Sequence, residues 1–360
     1  MSVWDTYPAD YRAREVDAIK SAVQAGECAA VVGLSGAGKS NLLGFIVYRV
    51  SGDEALPRFV LVDCNRLSEH NPQALFRLVR QALGESNAAS DELAALDVIL
   101  QDRLNRHPTG LCLLLDRFDA LSQSADPSIS GNLRALRDTY KYQLTYVTAT
   151  RHPLDPNSEL AELFYAHVLW LGPLSESDAH WNIARYAWRK RLTWGAAVTQ
   201  KIYQVSWGYP SLLRAVCEAH ADGVDLEVKS LLDHPAVQRR VSEFWTDDPS
   251  EEALRLSSLE GQPLLMGGQP RKTSNVPVDT TQLTAKEHLL LEYFRHHPDQ
   301  VCEKDDLIHA VWFEDKIFER GIRDDSLAQL VRRLREKIEL DPSSPHHIHT
   351  VPGRGYRYSP

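Results

Sequence analysis

The sequence has no long apolar run and no leader-like beginning. No apolar segment in its 360 residues reaches the roughly 20 residues that a membrane-spanning helix needs. The chain starts Met-Ser-Val-Trp-Asp and does not place a basic segment before an apolar one, as a signal peptide does. We therefore expect a cytoplasmic protein that does not have a membrane as a partner.

The sequence also lacks paired or clustered cysteines. It has five, an odd number, and they are scattered without the short spacings of a metal site: Cys28, Cys64, Cys112, Cys217 and Cys302. Three of them lie in strand-like apolar runs. We interpret all five as reduced, buried thiols.

The composition that is present fits a packed protein with several domains. Hydrophobic residues make up 43% of the chain and charged residues 25%, which suits packed cores under a hydrated surface. The length predicts two or three domains. The net charge of −9 does not exclude a nucleic-acid partner, because a basic binding face can be local.

The strongest motif is the octapeptide Gly33–Ser40 (GLSGAGKS), which fits the phosphate-binding pattern G-x-x-x-x-G-K-[ST]. Glycines let backbone N–H groups approach phosphate oxygens, the lysine brings a positive charge to the β- and γ-phosphates, and the serine hydroxyl can bind Mg²⁺. A strand-like run at 28–32 precedes the motif and a helix-like run at 41–50 follows it. The residues that we expect to bind the nucleotide here are Gly33, Ser35, Gly36, Ala37, Gly38, Lys39, Ser40 and Asn41.

Strand-like runs alternate with helical patterns over the first half of the chain. Further apolar runs occupy 59–63, 111–116, 145–150 and 167–171, with helical patterns at 72–83, 91–106 and 132–142. Nearly continuous apolar strands that alternate with helices predict a parallel sheet covered on both faces, an α/β fold. Beyond Gly172 the patterns are helical, at 178–191, 196–206 and 211–221.

Two of these strands end in polar residues. Leu111–Asp116 resembles a Walker B strand, so we expect Asp116 to hold Mg²⁺ together with Ser40. Arg117 occupies the place where many such ATPases have a catalytic glutamate, and Asp119 either orients the attacking water or only caps the next helix. Arg151, which follows Thr148-Ala149-Thr150, either senses the γ-phosphate or is an ordinary solvated arginine. The predicted catalytic residues are Lys39, Asp116, Asp119 and Arg151; they support ATP binding more directly than rapid hydrolysis.

These motifs, joined in order by Gly172-Pro173-Leu174 and the turn Gly208-Tyr209-Pro210, resemble the STAND/AAA+ class of P-loop ATPases, close to its Orc/Cdc6-like and NB-ARC-like members. The resemblance covers about residues 10–235. It implies ATP or ADP with Mg²⁺, a helical lid after the sheet, and a nucleotide-dependent homo-oligomer. It also implies that Pro210 packs near the adenine and that Arg214 is a lid sensor. The segment Tyr7–Glu15 either lies beside the base or leads into a helix that covers the sheet.

The stretch between residues 236 and 280 has weaker signals. An acidic run at 247–252 suggests a linker over 236–252, and short apolar runs after it suggest strands with turns. We expect these strands to form a platform in front of the last domain. The predicted domains are thus an ATPase core at 1–172, a lid at 173–235 and a final domain at 253–360.

Residues 280–360 carry a second set of motifs. Thr284 and Glu287 have the spacing of a capping box at the start of a helix over 283–294. Further helices are predicted at 304–312 and 326–339, and a hairpin at 349–358. The order L-T-x-x-E-x-x-L-L, D-x-L-x-x-x-V-W, R-R-L-R-x-K-I-E and T-V-x-G-x-G-Y-R-Y resembles the PhoB/OmpR-type winged-helix DNA-binding domain, an α+β fold.

This second resemblance implies double-stranded DNA as a partner. The third helix would enter the major groove with its arginines, and Arg354 in the wing would reach the minor groove. Ala328 and Leu330 occupy positions where many relatives have polar residues, so we expect few base-specific contacts. The expected DNA-contacting residues are Ser326, Gln329, Arg332, Arg333, Arg335, Arg354 and Arg357.

The phospho-receiver domain that usually precedes such a domain has no counterpart in the sequence, and no sensor-like repeat occurs. The input would therefore be the nucleotide state, another protein, or DNA itself. We expect a nucleotide-gated transcriptional regulator. Two alternatives stay open: an ATPase of a DNA-bound mobile-element or defence assembly, anchored by the winged helix, and a nucleotide-binding scaffold without turnover.

Overall fold

The computed structural model describes residues 3–67, 69–122, 127–155, 157–269, 283–298, 300–311, 324–339, 345, 347–351 and 354–359. The chain divides into two compact units, Met1–Pro270 and Arg271–Pro360. Each unit is described by itself.

The first unit is built on a five-stranded sheet. Its strands are β1 (Ala29–Val32), β2 (Arg58–Asp63), β3 (Leu111–Asp116), β4 (Leu144–Thr150) and β5 (Val168–Trp170), in the order β2-β3-β4-β1-β5. Every neighbouring pair is parallel, which confirms the predicted sheet. Strand β4 thus lies between the strand before the P-loop and the strand that carries Asp116.

Helices cover both faces of this sheet. They are α1 (Ala13–Gln24), α2 (Lys39–Val50), α3 (Pro72–Ala82), α4 (Glu92–Arg106), α5 (Asp119–Ser122) and α6 (Pro127–Tyr140). Alternate residues of a strand point to opposite faces, so each face has its own apolar core. Val31 and Ala149 pack on the side of α1 and α2, and Val32 and Tyr146 pack on the side of α3, α4 and α6.

A helical region follows the sheet. It contains α7 (Glu176–Lys190), α8 (Ala196–Ser206), α9 (Pro210–Ala221), α10 (Val228–Leu232) and α11 (Pro235–Trp245). Buried residues of this region, among them Ile183, Ile202 and Phe244, join the core on the α2 side of the sheet. The three helices predicted after Gly172 are therefore present, and we call α7–α11 the lid.

The stretch predicted as a linker and platform strands is helical instead. Helix α11 fills much of 236–252, and α12 (Glu251–Leu256) and α13 (Pro263–Gly267) replace the strands. Leu254, Leu259 and Leu264 are buried in the core of the first unit, so residues from 253 onward do not begin a platform there. The prediction was wrong because short apolar runs do not distinguish a strand from a buried helix.

The second unit combines three helices with a three-stranded antiparallel sheet. The helices are α14 (Ala285–His296), α15 (Lys304–Val311) and α16 (Asp324–Ile338), and the strands are β6 (Val301–Glu303), β7 (Ile348–Val351) and β8 (Gly355–Tyr358), in the order β6-β8-β7. The predicted capping box at Thr284 and Glu287 is present. The winged-helix fold is confirmed; Trp312 and the wing residues 352–353 lie outside the described residues.

Two predictions about the whole chain can be compared with the structure. All five cysteines are buried and unpaired. Burial raises the pKa of the Cys64 thiol to about 12, which keeps it protonated near neutral pH. In the described part of the chain, no helix is both long enough and apolar enough to pass through a membrane.

Candidate functional site

The octapeptide Gly33–Ser40 joins β1 to α2 at the carboxyl edge of the sheet. Gly36 and Gly38 have φ angles of 88° and 91°, which residues with a side chain rarely adopt. This curled loop leads directly into the amino end of α2, where unpaired N–H groups and the helix dipole favour an anion. The strand–loop–helix context that the motif requires is therefore present.

Lys39 folds back onto its own loop. Its ammonium group donates to the carbonyl oxygens of Gly33 and, at 3.5 Å, of Leu34. Burial lowers the pKa of Lys39 to about 8, while the nearby Asp119 carboxylate opposes this shift. The lysine thus occupies a partly desolvated place in which a phosphate would stabilise its charge.

Asp116 ends β3 close to Ser40. Its side chain is buried, and burial raises the pKa of the Asp116 carboxyl while a hydrogen bond with Ser40 opposes the rise. Within the described residues, no three His, Cys, Asp or Glu side chains converge on a metal site. One carboxylate and one hydroxyl suit Mg²⁺, which takes its other ligands from phosphates and water.

A cavity of about 560 Å³ opens beside this loop. Its lining includes the predicted residues Ser35, Gly36, Gly38, Lys39, Ser40, Asn41, Asp119 and Arg151, together with Asn65 and Arg117. Asp116 is outside the lining and reaches the cavity through Ser40. The structure thus brings the predicted P-loop and catalytic residues together at one edge of the sheet.

Asp119 and Arg151 are joined to each other. The Asp119 carboxylate accepts the backbone N–H of Arg151 at 2.5 Å, and Asp119 is also the first residue of α5. The Arg151 guanidinium lies 2.6 Å from the carboxylate of Asp247, so Arg151 is more than a solvated residue. Asp119 therefore fixes the end of β4, and its orienting role toward water stays a prediction.

The lid contacts the P-loop through the turn that precedes α9. The Tyr209 hydroxyl donates to the carbonyl oxygen of Ser35 at 2.8 Å, and the backbone N–H of Ser211 donates to that of Gly36 at 3.2 Å. Pro210 lies between these two contacts and begins α9. The predicted Gly-x-Pro turn is thus positioned directly on the loop.

A second cavity, of about 260 Å³, lies where the P-loop, the amino-terminal segment and the lid come together. Its lining includes Tyr7, Tyr11, Arg12, Asn182, Tyr186, Pro210 and Arg214. Aromatic walls with a few polar groups suit a nucleobase. The structure therefore places Pro210, Arg214 and the predicted base-side segment in one pocket. Their contact with adenine stays a prediction.

Arg12 is a site residue that the sequence did not reveal. Its guanidinium donates to the carbonyl oxygens of Ala37 and Gly172, both at 3.1 Å, and its backbone N–H donates to Asp178 at 3.1 Å. Only 3% of the residue is exposed. Arg12 thus connects the P-loop, the end of the sheet and the lid, although arginine is almost never fully buried and no local pattern marks it.

Helix α16 of the second unit presents Gln329, Arg332 and Arg333 to solvent. Ala328 is exposed as well, but Leu330 is 5% exposed and packs in the core. Leu330 therefore does not face the DNA groove, and its apolar side chain there is not a departure from the family pattern that would affect base contacts. Its spacing along the helix places it on the buried face, so it does not reduce the base-reading surface.

Arg335 holds the wing. Its guanidinium donates to the Ile348 carbonyl oxygen at 2.6 Å and to the Thr350 hydroxyl at 3.0 Å, which fastens α16 to β7. On the same helix, Lys337 pairs with the buried Glu287 at 2.6 Å. These contacts give Arg335 and Lys337 structural roles, and a DNA contact by Arg335 would compete with them.

The wing residues are more accessible. Arg354 is 61% exposed in its side chain and pairs with Glu303 at 2.5 Å, and Arg357 is exposed on β8. The side chain of Ser326 lies outside what the structure describes. The candidate DNA surface therefore consists of the exposed face of α16 with Arg354 and Arg357.

The fold and these sites define a P-loop nucleotide-binding unit followed by a winged-helix unit. Residues 23–152 match the family model described as AAA domain, and residues 279–358 match that described as transcriptional regulatory protein, C terminal. The chain therefore carries an AAA domain and a PhoB/OmpR-type C-terminal domain. Its place among STAND proteins stays a prediction.

Over part of its length, the chain is similar to bacterial regulatory and signal-transduction proteins. The chain is 41% identical over 80 residues to a probable transcriptional regulatory protein of Picosynechococcus, covering 22% of this chain and 30% of that protein. It is 32% identical over 127 residues to the regulatory protein YcbL of Bacillus subtilis (34% and 50%) and 38% identical over 111 residues to the sensory transduction protein RegX3 of Mycobacterium tuberculosis (31% and 46%). The chain thus spans half or less of these relatives.

Two solved structures are similar over most of their length. The Walker-type ATPase PABY2304 of Pyrococcus abyssi has a TM-score of 0.48 at 15% identity, covering 99% of this chain and 97% of that one. Cdc6p of Pyrobaculum aerophilum has a TM-score of 0.44 at 15% identity, covering 97% and 89%.

Proposed function

We propose that this chain is a transcriptional regulator in which ATP binding by the first unit controls DNA binding by the second. The observation that carries the proposal is the joining, in one chain, of a P-loop site containing Lys39, Ser40 and Asp116 with a winged helix whose α16 exposes Arg332 and Arg333. The ligands are ATP or ADP with Mg²⁺, and double-stranded DNA.

The nucleotide role follows from the chemistry of the loop. Lys39 exchanges its bonds with the loop carbonyls for bonds with phosphate oxygens, which removes the cost of its burial. Ser40 and Asp116 would hold Mg²⁺, which neutralises phosphate charge. Hydrolysis would also need an oriented water, for which Asp119 is the candidate.

The DNA role follows from the exposed cations of the second unit. Arg332 lies within 3.1 Å of Glu336, but both side chains are exposed, so little free energy is lost when a phosphate or guanine replaces that carboxylate. Arg354 and Arg357 are exposed, and we infer that they contact DNA phosphates. We further propose that nucleotide binding changes a homo-oligomer, and that another protein can supply the signal.

The test is DNA affinity of the full chain in three nucleotide states. A duplex would first be selected from a random pool, and its dissociation constant measured with no nucleotide, with ADP and with a non-hydrolysable ATP analogue, at fixed salt and protein concentration. We expect the three dissociation constants of the wild type to differ. We expect Lys39→Ala to bind DNA with the same affinity in all three nucleotide states. Equal wild-type values would reject gating and leave the winged helix as an anchor.

A further inference from the structure

Arg151 connects the nucleotide cavity to a loop that lies 96 residues further along the chain. Its guanidinium Nη1 donates to Asp247 Oδ1 at 2.6 Å, and its backbone N–H donates to Asp119. Asp247 lies between α11 and α12, two residues after Trp245. The same arginine lines the cavity that contains Lys39 and Ser40.

Among the described residues, Arg151 is the cation that hydrogen-bonds with Asp247. The Asp247 side chain is only 8% exposed. Its second oxygen, Oδ2, is buried and has no hydrogen-bond partner among the described residues. A buried carboxylate that loses its cation is left with an uncompensated charge, so turning Arg151 away from Asp247 would destabilise the loop in this position.

A third phosphate would compete for the same cation. The cavity walls bring Lys39, Asp119 and Arg151 together, and the Arg151 side chain is 50% exposed. A guanidinium binds phosphate oxygens in the same forked geometry that it uses for a carboxylate. A γ-phosphate would add negative charge in this cavity and draw Arg151 toward it, whereas a diphosphate would leave Arg151 paired with Asp247.

We propose that the Arg151–Asp247 pair is a latch that distinguishes nucleoside triphosphates from diphosphates, closed with a diphosphate and opened when Arg151 turns to the γ-phosphate. The inference rests on the proposed function, in that the cavity must hold nucleotide phosphates. Opening the latch releases the loop Thr246–Ser250.

That loop leads into the last elements of the first unit. Ser250 caps α12 by accepting the N–H of Ala253 at 3.1 Å. The indole N–H of Trp245 donates to the carbonyl oxygen of Leu265 in α13 at 3.0 Å. Movement at Asp247 would therefore affect α12, through the Ser250 cap, and α13, through the Trp245 hydrogen bond. These two helices precede the second unit in the chain. Through the latch, a change of nucleotide in the cavity would alter the packing of α12 and α13.

The first experiment measures nucleotide affinity of the full chain by calorimetry. Because Asp247 competes with the γ-phosphate for Arg151, Asp247→Asn should bind a non-hydrolysable ATP analogue about fivefold or more tightly than wild type, with ADP affinity changed by less than about twofold. Asp248→Asn is the matched control, since it removes the same charge from the next residue. It also keeps a residue type that tolerates the φ of 39° found there.

The Arg151→Gln variant tests whether the effect of Asp247→Asn depends on Arg151 or only on the removal of a negative charge. With Arg151→Gln in place, adding Asp247→Asn should no longer change affinity for the ATP analogue. If Asp247→Asn weakens or does not alter that affinity, or if it acts equally in the Arg151→Gln background or is matched by Asp248→Asn, the latch is rejected.

Hydrogen exchange adds a readout that does not depend on affinity. Amides of residues 246–248 and 250 should exchange faster with the ATP analogue than with ADP in wild type, and equally fast in Asp247→Asn; equal rates in wild type would reject the latch. A chain that binds neither nucleotide removes both the proposed function and the latch. A chain that shows the affinity and exchange changes but equal DNA affinity in all nucleotide states retains the latch and loses only the gating of DNA.

Discussion

The hydroxyl of Tyr209 donates a hydrogen bond of 2.8 Å to the carbonyl oxygen of Ser35, which ties the lid to the phosphate-binding loop. Tyr209 is fully buried, and burial raises the pKa of its hydroxyl, so it remains a donor across the working pH range. The lid and the loop therefore share this side-chain hydrogen bond in addition to the backbone one from Ser211, and the effect of losing it can be measured.

Tyr209→Phe removes only that hydroxyl. Because a net hydrogen bond contributes about 1 kcal/mol, we expect nucleotide to dissociate about fivefold faster, while the melting temperature falls by only about 2–4 °C. Stopped-flow release of a fluorescent ADP would measure the rate. Tyr142→Phe, at a side chain that is 74% exposed in the same unit, is the control. An unchanged release rate in Tyr209→Phe would show that the contact does not hold the lid.

The lowered pKa of Lys39 predicts a pH dependence of nucleotide binding. The free protein loses this charge as the pH rises through about 8, whereas bound phosphates would keep the ammonium protonated. We expect affinity to fall above that pH and binding there to take up a proton, which calorimetry in buffers of different ionisation enthalpy detects. Lys39→Met should bind weakly, without proton uptake.

The lowered pKa of Lys39 also predicts how the free energy of unfolding changes with pH. Between about pH 8 and the ordinary value of 10.5, the unfolded chain holds a proton on Lys39 that the folded chain has lost. The contribution of Lys39 to the free energy of unfolding should therefore rise with pH over this interval. Denaturant titrations of wild type and Lys39→Met should converge as the pH increases; a constant difference would contradict the assigned burial.

Asp116→Asn and Asp119→Asn test two predicted roles separately: Mg²⁺ binding by Asp116 and orientation of the attacking water by Asp119. Asp116→Asn should retain much of the nucleotide affinity but lose Mg²⁺-dependent turnover. Asp119→Asn keeps an oxygen that can accept the N–H of Arg151, so it tests the charge of Asp119 without loosening β4. Phosphate release at saturating ATP is the measurement. Full turnover in Asp119→Asn would reject the water-orienting role and leave Asp119 as a structural residue.

The arginines of the second unit should divide into three groups. Loss of Arg332 or Arg333, at least one of them a base contact, should cost about 1–3 kcal/mol of DNA affinity and relax sequence preference. Arg354→Ala should weaken all sequences alike and lower the salt slope by about one. Arg335→Ala should lower the melting temperature, because it frees the Ile348 carbonyl oxygen. Equal effects of the four changes on affinity would contradict this division.

A fragment that begins at residue 271 should fold and bind DNA without responding to nucleotide, since the second unit has its own core. A longer fragment that begins at 253 should be less soluble. It would expose Leu254, Leu264 and Leu265, which are buried against the first unit. Size-exclusion chromatography and circular dichroism of both fragments provide the comparison. A better-behaved longer fragment would restore the boundary predicted from the sequence.

Local pattern was enough to predict much of the fold. The strand Leu111–Asp116 was recognisable because both of its faces are buried, and the capping box at Thr284 because its spacing is local. Leu254 was misplaced because a short apolar run suits a strand and a buried helix equally. The pairing of Arg151 with Asp247 crosses 96 residues, and no local periodicity encodes such a contact.

The hydrogen bonds that the P-loop carbonyl oxygens accept fix the direction of the peptide dipoles in this loop. Those of Gly33 and Leu34 accept from Lys39, and those of Ser35, Gly36 and Ala37 accept from Tyr209, Ser211 and Arg12. In a trans peptide the N–H points opposite to the C=O, so a donor that fixes an oxygen also aims the next N–H away from itself. Three donors outside the octapeptide therefore help to orient its N–H groups. A chain with the same eight residues but other side chains at positions 12 and 209 would hold the same motif with differently directed dipoles, and its attraction for an anion would differ accordingly.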